Sequence, residues 1–438
     1  MKARLFSLFI TLLLSGWLIS VLYRLAFVAG PPLTAAALPP QLPLLDCNAP
    51  VRIMPLGDEL TVGVGSSQNT GYRQVLYHSL RGVGYDVVFV GGEQDGATAV
   101  PAFDTDHEGH IGWTADLIAT NVYTYLVNNP ADIILLHVGP DENNADVTAV
   151  MHILDEIDRY EQDNGINIAV LLAQVINNAT PDPTITEFNN NLAISATART
   201  TDTLFLVDME NSLDYILDMA DNTHPNDLGY FRMARTWQKS LVANINPPAC
   251  TPVQVQKTAD TEVIISGSSV NFTIFVTNTG NAGWRNITAD DPLAPACSQT
   301  VPDLLPDNSY SYNCTLDNVT NSFLNYITVA GTHVPATSVS NTHLVYVVTI
   351  TPALSLALSP PTQIVLAGET AVFTATITNT GTVPLTLNLT SSPADTNCTS
   401  PANNLATGEA VQYSCSKTNV TQSFTPVITA TGIFMVFQ

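Results

Sequence analysis

The chain has 438 residues, a length that suits about two or three domains. Hydrophobic residues make up 45% of it and charged residues only 12%, which excludes disorder as its general state. It carries 14 Lys plus Arg and a net charge of −24, so it lacks the basic surface that nucleic acids and anionic lipids require. Neutral glycans and divalent cations remain as partners, and the simplest role of the acidic surface is solubility.

Residues 1–30 predict an export signal. Lys2 and Arg4 precede an apolar run from Leu5 to Tyr23, which is the order of a signal sequence. The run is also about long enough to span a bilayer, and small residues suited to cleavage lie far downstream at 35–37. Cleavage and retention as a membrane anchor both remain open, with retention favoured. We expect an extracytoplasmic protein, secreted or anchored at the cell surface. Residues 31–46 are rich in Pro and Ala and predict a spacer.

Residues 47–250 alternate between strand and helix patterns. The apolar runs VRIMPLG, DVVFVGG, DIILLHVG, IAVLLAQVI and TLFLVDM are typical of strands covered on both faces, as in a parallel sheet. Amphipathic segments lie between them, and LGYFRMARTWQKSLVANI predicts a last helix. The order predicts a doubly wound, flavodoxin-like α/β domain of three layers. Such a domain binds ligands at the carboxyl ends of its strands.

Residues 251–350 and 351–438 predict two copies of an all-β unit. GSSVNFTIFVTNTG in the first copy aligns with GETAVFTATITNTG in the second, and alternating strand patterns replace helical ones. Each copy has roughly 90 residues, the size of one antiparallel sandwich. The copies resemble the immunoglobulin-like "conserved repeat" and CARDB-like modules of bacterial surface proteins. That resemblance implies a stalk or an adhesive module.

Six cysteines fit an oxidising compartment. Cys297 and Cys314 have the same separation as Cys398 and Cys415, which leaves Cys47 and Cys250 to bracket the α/β domain. Although other connectivities exist, the repeat favours the pairs 47–250, 297–314 and 398–415. No Cys or His spacing indicates zinc.

Several motifs between Val51 and Leu241 carry a family resemblance. They are IMPLGDELTVGVGSS, GYRQVLYHSL, GYDVVFVGG, FDTDHEGHIGWTA, DIILLHVGPDEN and DMADNTHPNDLGYFRMARTW, in chain order. Together they resemble the SGNH (GDSL-type) hydrolases, most closely the acetyl-xylan-esterase-like members of carbohydrate esterase family 3. The resemblance implies acyl transfer from an ester, in which a serine attacks and a His–Asp pair takes its proton. It assigns that pair to Asp221 and His224, and one oxyanion donor to Gly112.

Two positions depart from the family pattern. Glu59 stands where the family has its serine, and Asp141 stands where it has an oxyanion asparagine, with Pro140 before it. A carboxylate cannot be deprotonated into a nucleophile as a hydroxyl group can, and Asp replaces a donor by an acceptor. Losing one oxyanion donor costs about two to three orders of magnitude in rate, and losing the nucleophile costs more. Ser66 and Ser67 lie too far along the loop to serve instead. Ordinary serine-esterase activity is therefore not expected.

The family resemblance implies that Glu59, Asp141 and His224 converge, which leaves three interpretations. The first is an impaired esterase that binds carbohydrate, with Trp113 and Tyr72 either contacting sugar or only packing. The second is a divalent-cation site at these three residues, although we expect no cofactor. The third is hydrolysis by two carboxylates. A salt bridge from Glu59 to protonated His224 is the simplest expected resting state.

The string DTDHEGHIGW resembles a set of metal ligands, but it fits loop architecture better because metal-free family members carry it. Its acidic and histidine side chains are Asp104, Asp106, His107, Glu108 and His110. We expect a monomer that binds a cell-surface or plant-type polysaccharide. An active ester or glycan hydrolase with a non-standard mechanism and a purely structural surface adhesin are the alternatives.

Overall fold

The computed structural model describes residues 43, 45–140, 144–333, 337–392, 397–399 and 404–434. The predicted export signal, nearly all of the predicted spacer and Asp141 therefore lie outside the described residues. Among the helices that are described, none is both long and apolar enough to cross a membrane.

The α/β part of the chain contains seven strands and six α-helices among the described residues. The strands are β1 (Val51–Gly57), β2 (Val87–Phe89), β3 (Glu93–Gln94), β4 (Asp106–Gly109), β5 (Ile133–His137), β6 (Ala169–Gln174) and β7 (Leu204–Asp208). The helices are α1 (Glu59–Val62), α2 (Arg73–Gly82), α3 (Ala115–Asn128), α4 (Thr148–Asn164), α5 (Pro183–Thr197) and α6 (Asp227–Asn244).

Strand β1 lies at the centre of the sheet. It pairs in parallel with β2 and β4 along one edge and with β5 along the other, and β6 and β7 follow. Alternate residues of each strand point to opposite faces of the sheet. Ile53 and Leu135 pack with α2 and α6 on one face, whereas Met54 and Leu136 pack with α3, α4 and α5 on the other. The predicted doubly wound, three-layer α/β class is therefore confirmed, with β3–β4 as an antiparallel addition.

The described residues from Val253 onward form two regions built almost entirely of β-strands. The first contains β8 (Val253–Ala259), β9 (Val263–Ile265), β10 (Ser268–Asn278), β11 (Trp284–Asp290), β12 (Gln299–Val301), β13 (Ser309–Val319), β14 (Phe323–His333) and β15 (Thr337–Ile350). The second contains β16 (Leu354–Ser359), β17 (Ala371–Asn379), β18 (Leu385–Ser392), β19 (Asn397–Thr399), β20 (Asn404–Leu405), β21 (Ala410–Lys417) and β22 (Val427–Ile433).

Each all-β region consists of two sheets. The sheets are β13-β10-β8 with β12-β11-β14-β15-β9, and β16-β17-β21-β19 with β20-β18-β22. A disulfide lies within each region, Cys297–Cys314 in the first and Cys398–Cys415 in the second. A third disulfide joins Cys47 to Cys250, so the predicted cysteine pairing is confirmed.

The α/β part packs against the first all-β region through β15. Leu344 and Val348 of that strand belong to the same apolar core as helices α2 and α6. Asn341 Nδ2 donates to the Arg81 carbonyl oxygen at 2.6 Å and to the Val253 carbonyl oxygen at 2.9 Å. These contacts give the two parts one shared core, which the sequence patterns did not predict.

Candidate functional site

The Gly57–Glu59 turn joins the central strand to helix α1. A Cβ atom on Gly57 would lie 1.9 Å from the His137 carbonyl oxygen, so only glycine permits β1 and β5 to approach this closely. Asp58 then caps α1, because its Oδ1 accepts from the Leu60 N–H at 3.0 Å. Glu59 is thereby fixed as the first helical residue, at the carboxyl end of the central strand.

Asp58 is a buried carboxyl group next to Glu59. Its Oδ2 accepts from the Gly139 N–H at 3.3 Å. Burial raises the pKa of Asp58 to about 7, and the neighbouring charge of Glu59 adds to the effect, while the backbone donors at Leu60 and Gly139 oppose it. Asp58 is therefore partly protonated near neutral pH.

The Glu59 side chain reaches the backbone of the loop that follows β4. Its Oε2 accepts from the Gly112 N–H at 3.3 Å. Gly112 has a φ of +73°, the left-handed region that favours glycine, and it is exposed. The structure thus brings Glu59 and Gly112 together. The N–H that the family resemblance assigns to an oxyanion instead donates to a side-chain carboxylate.

The histidine loop, Asp221–His224, retains the pattern of a proton-relay pair. His224 Nδ1 lies 2.8 Å from Asp221 Oδ2, and Asp221 Oδ1 accepts from the backbone N–H groups of Thr223 and His224, each at 2.8 Å. The His224 imidazole and these N–H groups hold the pKa of Asp221 well below its usual range. This arrangement leaves Nε2 as the ring nitrogen for taking a proton, as a general base requires.

Asn226 explains why the loop ends where it does. Its Oδ1 accepts from the N–H groups of Leu228 at 2.9 Å and Gly229 at 3.1 Å, and thereby caps helix α6. Its Nδ2 donates to the Leu217 carbonyl oxygen at 2.8 Å. The HPN sequence after Thr223 therefore holds the histidine loop against the start of α6.

Gly65 brings the loop after α1 against the histidine loop. A Cβ atom on Gly65 would lie 2.8 Å from the His224 Cβ and 2.5 Å from the Pro225 carbonyl oxygen, and Gly65 has a φ of +94°. Motif matching did not single out this residue. A glycine in the segment between the nucleophile position and the first long helix is the signal that could have found it.

The prediction of a salt bridge between Glu59 and His224 is wrong. The ion pairs among the described residues do not include it, and the Glu59 carboxylate bonds the Gly112 N–H instead. His224 Nδ1 already faces Asp221, and the left-handed turn at Gly112 offers Glu59 a fixed backbone donor.

Asp141 cannot be placed against these groups, since it lies outside the described residues. Its role at an oxyanion position and the cation site at Glu59, Asp141 and His224 stay predictions. Within the described part of the chain, no group of three or more His, Cys, Asp or Glu side chains is arranged to hold a metal ion.

The two aromatic candidates for sugar contact differ. Tyr72 is fully buried, with its ring centroid 6.0 Å from that of Trp237, so it packs in the core and cannot contact a sugar. Trp113 is half-buried and stacks on the His110 ring at 4.3 Å between centroids.

The DTDHEGHIGW string forms internal contacts. Glu108 accepts from the Gly92 N–H at 2.6 Å and lies 3.1 Å from His110 Nε2. His107 Nδ1 accepts from the Gly109 N–H at 2.9 Å, and burial lowers the pKa of His107 to about 2, which keeps the ring neutral. Asp104 accepts from the Phe89 N–H, and Asp106 from the Gln94 amide. These partners support loop architecture as the role of the string.

The Ser66 hydroxyl group forms its hydrogen bonds with the backbone. Its buried Oγ donates to the Gly63 carbonyl oxygen at 2.6 Å and accepts from the Gly71 N–H at 3.1 Å. These bonds hold it inside the loop, away from the role of a substitute nucleophile.

Arg73 is a second residue that the sequence analysis did not single out. Its side chain is fully buried, and its five hydrogen bonds all go to backbone carbonyl oxygens, those of Thr61, Val62, Asn69, Asp95 and Thr105. Burial lowers the pKa of Arg73 to about 10, so it stays charged at neutral pH. It ties the end of α1 to three loops. An arginine at the first position of a helix with a regularly spaced apolar face, in GYRQVLYHSL, is the available signal.

Comparisons with known proteins find similarity to esterases. The chain is 26% identical over 253 residues to a multidomain esterase of Ruminococcus flavefaciens, an alignment that covers 50% of this chain and 33% of that protein. The chain therefore spans about a third of the length of that curated relative. No family model matches the chain.

Solved structures of esterases are also similar to it. A family 3 carbohydrate esterase of Clostridium thermocellum is 26% identical, with 44% of this chain and 96% of that chain covered and a TM-score of 0.40. A carbohydrate esterase family 3 structure from Talaromyces cellulolyticus is 22% identical, with 44% and 97% covered and a TM-score of 0.39. A two-domain esterase active on acetylated mannans is 14% identical, with 68% and 90% covered and a TM-score of 0.30.

The sheet order shows that the α/β part is a doubly wound, three-layer domain. Its sequence is similar to that of an esterase, and its fold resembles that of carbohydrate esterases.

Proposed function

We propose that this chain is an exported and catalytically impaired relative of the carbohydrate esterases, whose α/β domain binds glycan at the cell surface. In this proposal the two all-β regions are immunoglobulin-like modules that serve as a stalk or as an adhesive surface. The N-terminal segment supplies export and, if it is retained, a membrane tether.

The contact between Glu59 Oε2 and the Gly112 N–H carries the proposal. In an ester-hydrolysing site that N–H would face the developing oxyanion, and a hydroxyl group would stand at the turn. Here the Glu59 carboxylate takes the N–H at 3.3 Å. The carboxylate lies where the acyl group of a substrate would have to bind. In this proposal the Glu59 carboxylate stands in the place of the nucleophile. It also accepts the N–H that would otherwise donate to the oxyanion.

The intact surroundings support binding without turnover. Arg73, Asp58 and Asn226 hold the turn and the histidine loop in place, so the cleft walls stay ordered although the nucleophile is gone. The net charge of −24 favours a neutral polymer over an acidic one. The curated relative is a multidomain esterase, and a similar structure acts on acetylated mannans, which suggests the same class of ligand.

Calorimetry with xylohexaose and mannohexaose, beside an aryl acetate hydrolysis assay, tests the proposal. We expect one of the oligosaccharides to bind and the wild-type chain to show no hydrolysis above the level of a His224→Ala variant. His152→Ala, on the exposed face of α4, is the matched control. Wild-type hydrolysis that disappears in His224→Ala and persists in His152→Ala would show an active serine-type or related esterase and refute the proposal.

One observation favours a second candidate, hydrolysis by two carboxylates. Asp58, with its pKa raised to about 7, lies next to Glu59, and a protonated and an ionised carboxyl group are what such a mechanism needs. Against it, both Asp58 oxygens already accept backbone N–H groups. Glycan hydrolysis that persists in His224→Ala and is lost in Glu59→Gln would establish this candidate in place of the first.

A further inference from the structure

A cleft of about 440 Å³ lies where the α/β part meets the first all-β region. Its α/β wall is formed by the loop that contains Ser67 and Gln68 and by Asp227 at the start of α6. Its opposite wall is formed by Leu293, Tyr326 and Tyr346. The volume lies within the range of about 300–1,000 Å³ that is typical of ligand pockets.

The two walls are fixed to each other by a packed interface. The Tyr346 ring lies 6.0 Å from the Phe231 ring of α6, and Arg235 of the same helix forms an ion pair with Glu262. A Cβ atom on Gly82 would lie 2.8 Å from the His343 ring, so the α2 backbone touches β15 directly. The packed interface therefore gives the cleft a fixed shape.

The lining suits an uncharged ligand with many hydroxyl groups. Among the described residues that line the cleft, Tyr326, Tyr346 and the exposed Gln68 have side-chain polar groups without a hydrogen-bond partner in the chain. Aromatic rings that carry a polar tip, beside a neutral amide, offer both an apolar face and hydrogen bonds. Burial and the nearby Asp227 raise the pKa of Tyr346 to about 12, so its hydroxyl group keeps its proton and can donate.

Charge excludes the other common ligand classes. No Lys or Arg is among the described residues that line the cleft, and Asp227 contributes a carboxylate, one oxygen of which accepts from the Ser67 N–H at 2.8 Å. A phosphate or an acidic polysaccharide would meet negative charge without a cation to balance it.

The cleft borders the candidate site through two short stretches of chain. Ser67 lies two residues beyond Gly65, whose backbone packs against His224, and Asp227 lies three residues beyond His224. An oligomeric ligand whose end lies at the histidine loop can therefore extend into the cleft.

We propose that this cleft is a second saccharide subsite, which binds the continuation of a neutral oligosaccharide whose end lies at the esterase-like site. The first all-β region then contributes to recognition through Tyr326 and Tyr346, beyond its role as a spacer. This inference rests on the proposed glycan-binding function.

Calorimetric titration of the full chain with xylobiose, xylohexaose, mannobiose and mannohexaose tests the subsite. The test variant is Tyr326→Phe/Gln68→Ala, which removes two polar groups and leaves the core packing in place. The control is Tyr310→Phe/Gln256→Ala, which makes the same changes on the first all-β region away from the cleft. Unchanged melting temperatures show that both variants are folded.

We expect the hexaose of one series to bind wild type more tightly than the biose does. The test variant should weaken hexaose binding about five- to tenfold, as expected for two lost hydrogen bonds, and leave biose binding unchanged. The control should behave as wild type. Hexaose affinity that is the same in the test variant and in wild type would overturn the subsite and leave the proposed function standing. A wild-type chain that binds none of the four sugars would overturn both.

Discussion

The histidine loop and the Gly57–Glu59 turn are two regions of one site, and they differ in what their side chains can do. In the histidine loop, Asp221 and His224 are paired at 2.8 Å in the arrangement that activates a hydroxyl group. In the turn, a carboxylate stands where that hydroxyl group would be, and it bonds the Gly112 N–H. The first region holds a pair suited to proton transfer, and in the proposed function the second region offers that pair no hydroxyl group to activate.

Three residues around the turn nevertheless hold its backbone in place. Gly57 permits the close approach to β5, Asp58 caps α1, and Arg73 bonds the carbonyl oxygens around its end. A single side chain at the strand end can therefore change the chemistry of the site without changing its scaffold. The comparison separates residues that hold the fold from residues that decide the reaction.

The largest expected effect on stability comes from Arg73, which supports the turn side of the comparison. Arg73→Met should leave as many as five backbone carbonyl oxygens without a donor, and the hydrogen bonds to two of them, those of Thr61 and Val62, are buried. We expect the free energy of unfolding to fall by at least about 4 kcal/mol, or the α/β domain to fail to fold. Urea unfolding of the variant beside wild type measures this loss.

Arg81→Met is the matched control, since Arg81 is half-exposed and pairs with Asp86 at 3.1 Å. It should cost no more than about 1 kcal/mol. Equal losses in the two variants would show that the backbone contacts of Arg73 do not hold the turn.

The next effect is a pH dependence at Asp58. An unfolded aspartate titrates near pH 4, whereas burial raises the pKa of Asp58 to about 7. Between these values the folded chain keeps a proton that the unfolded chain has released. The stability from this group is thus full below about pH 4 and is lost as the pH rises through 7.

Asp58→Asn should remove that slope because an amide does not titrate. From pH 5 to pH 8 the variant should gain about 2–3 kcal/mol relative to wild type in urea unfolding. The control is Asp116→Asn, on the exposed first turn of α3. If Asp58→Asn and Asp116→Asn show the same slope as wild type, Asp58 is not the buried titrating group of the turn.

The smallest effect should appear in the histidine loop, and with the opposite sign. Hydrogen bonds from His224 and the backbone depress the pKa of Asp221. Its stabilisation is therefore present above about pH 4, the unfolded value, and is lost as the pH falls through the lower folded value. Because Asp221 is more than half exposed, we expect Asp221→Asn to cost only about 0.5–1 kcal/mol at pH 6. Melting curves should converge with those of wild type toward pH 2, and a gap that widens there would contradict the assignment.

Local patterns predicted the fold class and the cysteine pairing. Apolar runs of the right length gave the parallel strands, since both faces of the sheet are covered by helices. The repeated cysteine spacing gave all three disulfides. The family resemblance assigned Glu59, Gly112, Asp221 and His224 to one site. In the structure Glu59 Oε2 accepts from the Gly112 N–H, and His224 Nδ1 lies 2.8 Å from Asp221 Oδ2.

Long-range contacts were not predictable in the same way. The interface of α2 with β15 joins Arg81 to Asn341, and nothing in either segment alone marks a partner so far along the chain. The Glu59–His224 salt bridge was expected from charges, but a backbone donor at Gly112 satisfies the carboxylate. Tyr72 and Arg73 are neighbours in the sequence, and only the packed structure shows that both are fully buried.

Restoring the family residues at the two altered positions tests the central claim most directly. Aryl acetate hydrolysis is measured for wild type, Glu59→Ser, Glu59→Ser/Asp141→Asn, and the double variant combined with His224→Ala. We predict that turnover appears in the double variant at a rate at least about a hundredfold above wild type, and that His224→Ala abolishes it. Wild-type turnover that equals that of the double variant and depends on His224 would contradict the account, because Glu59 would then not be what silences the site.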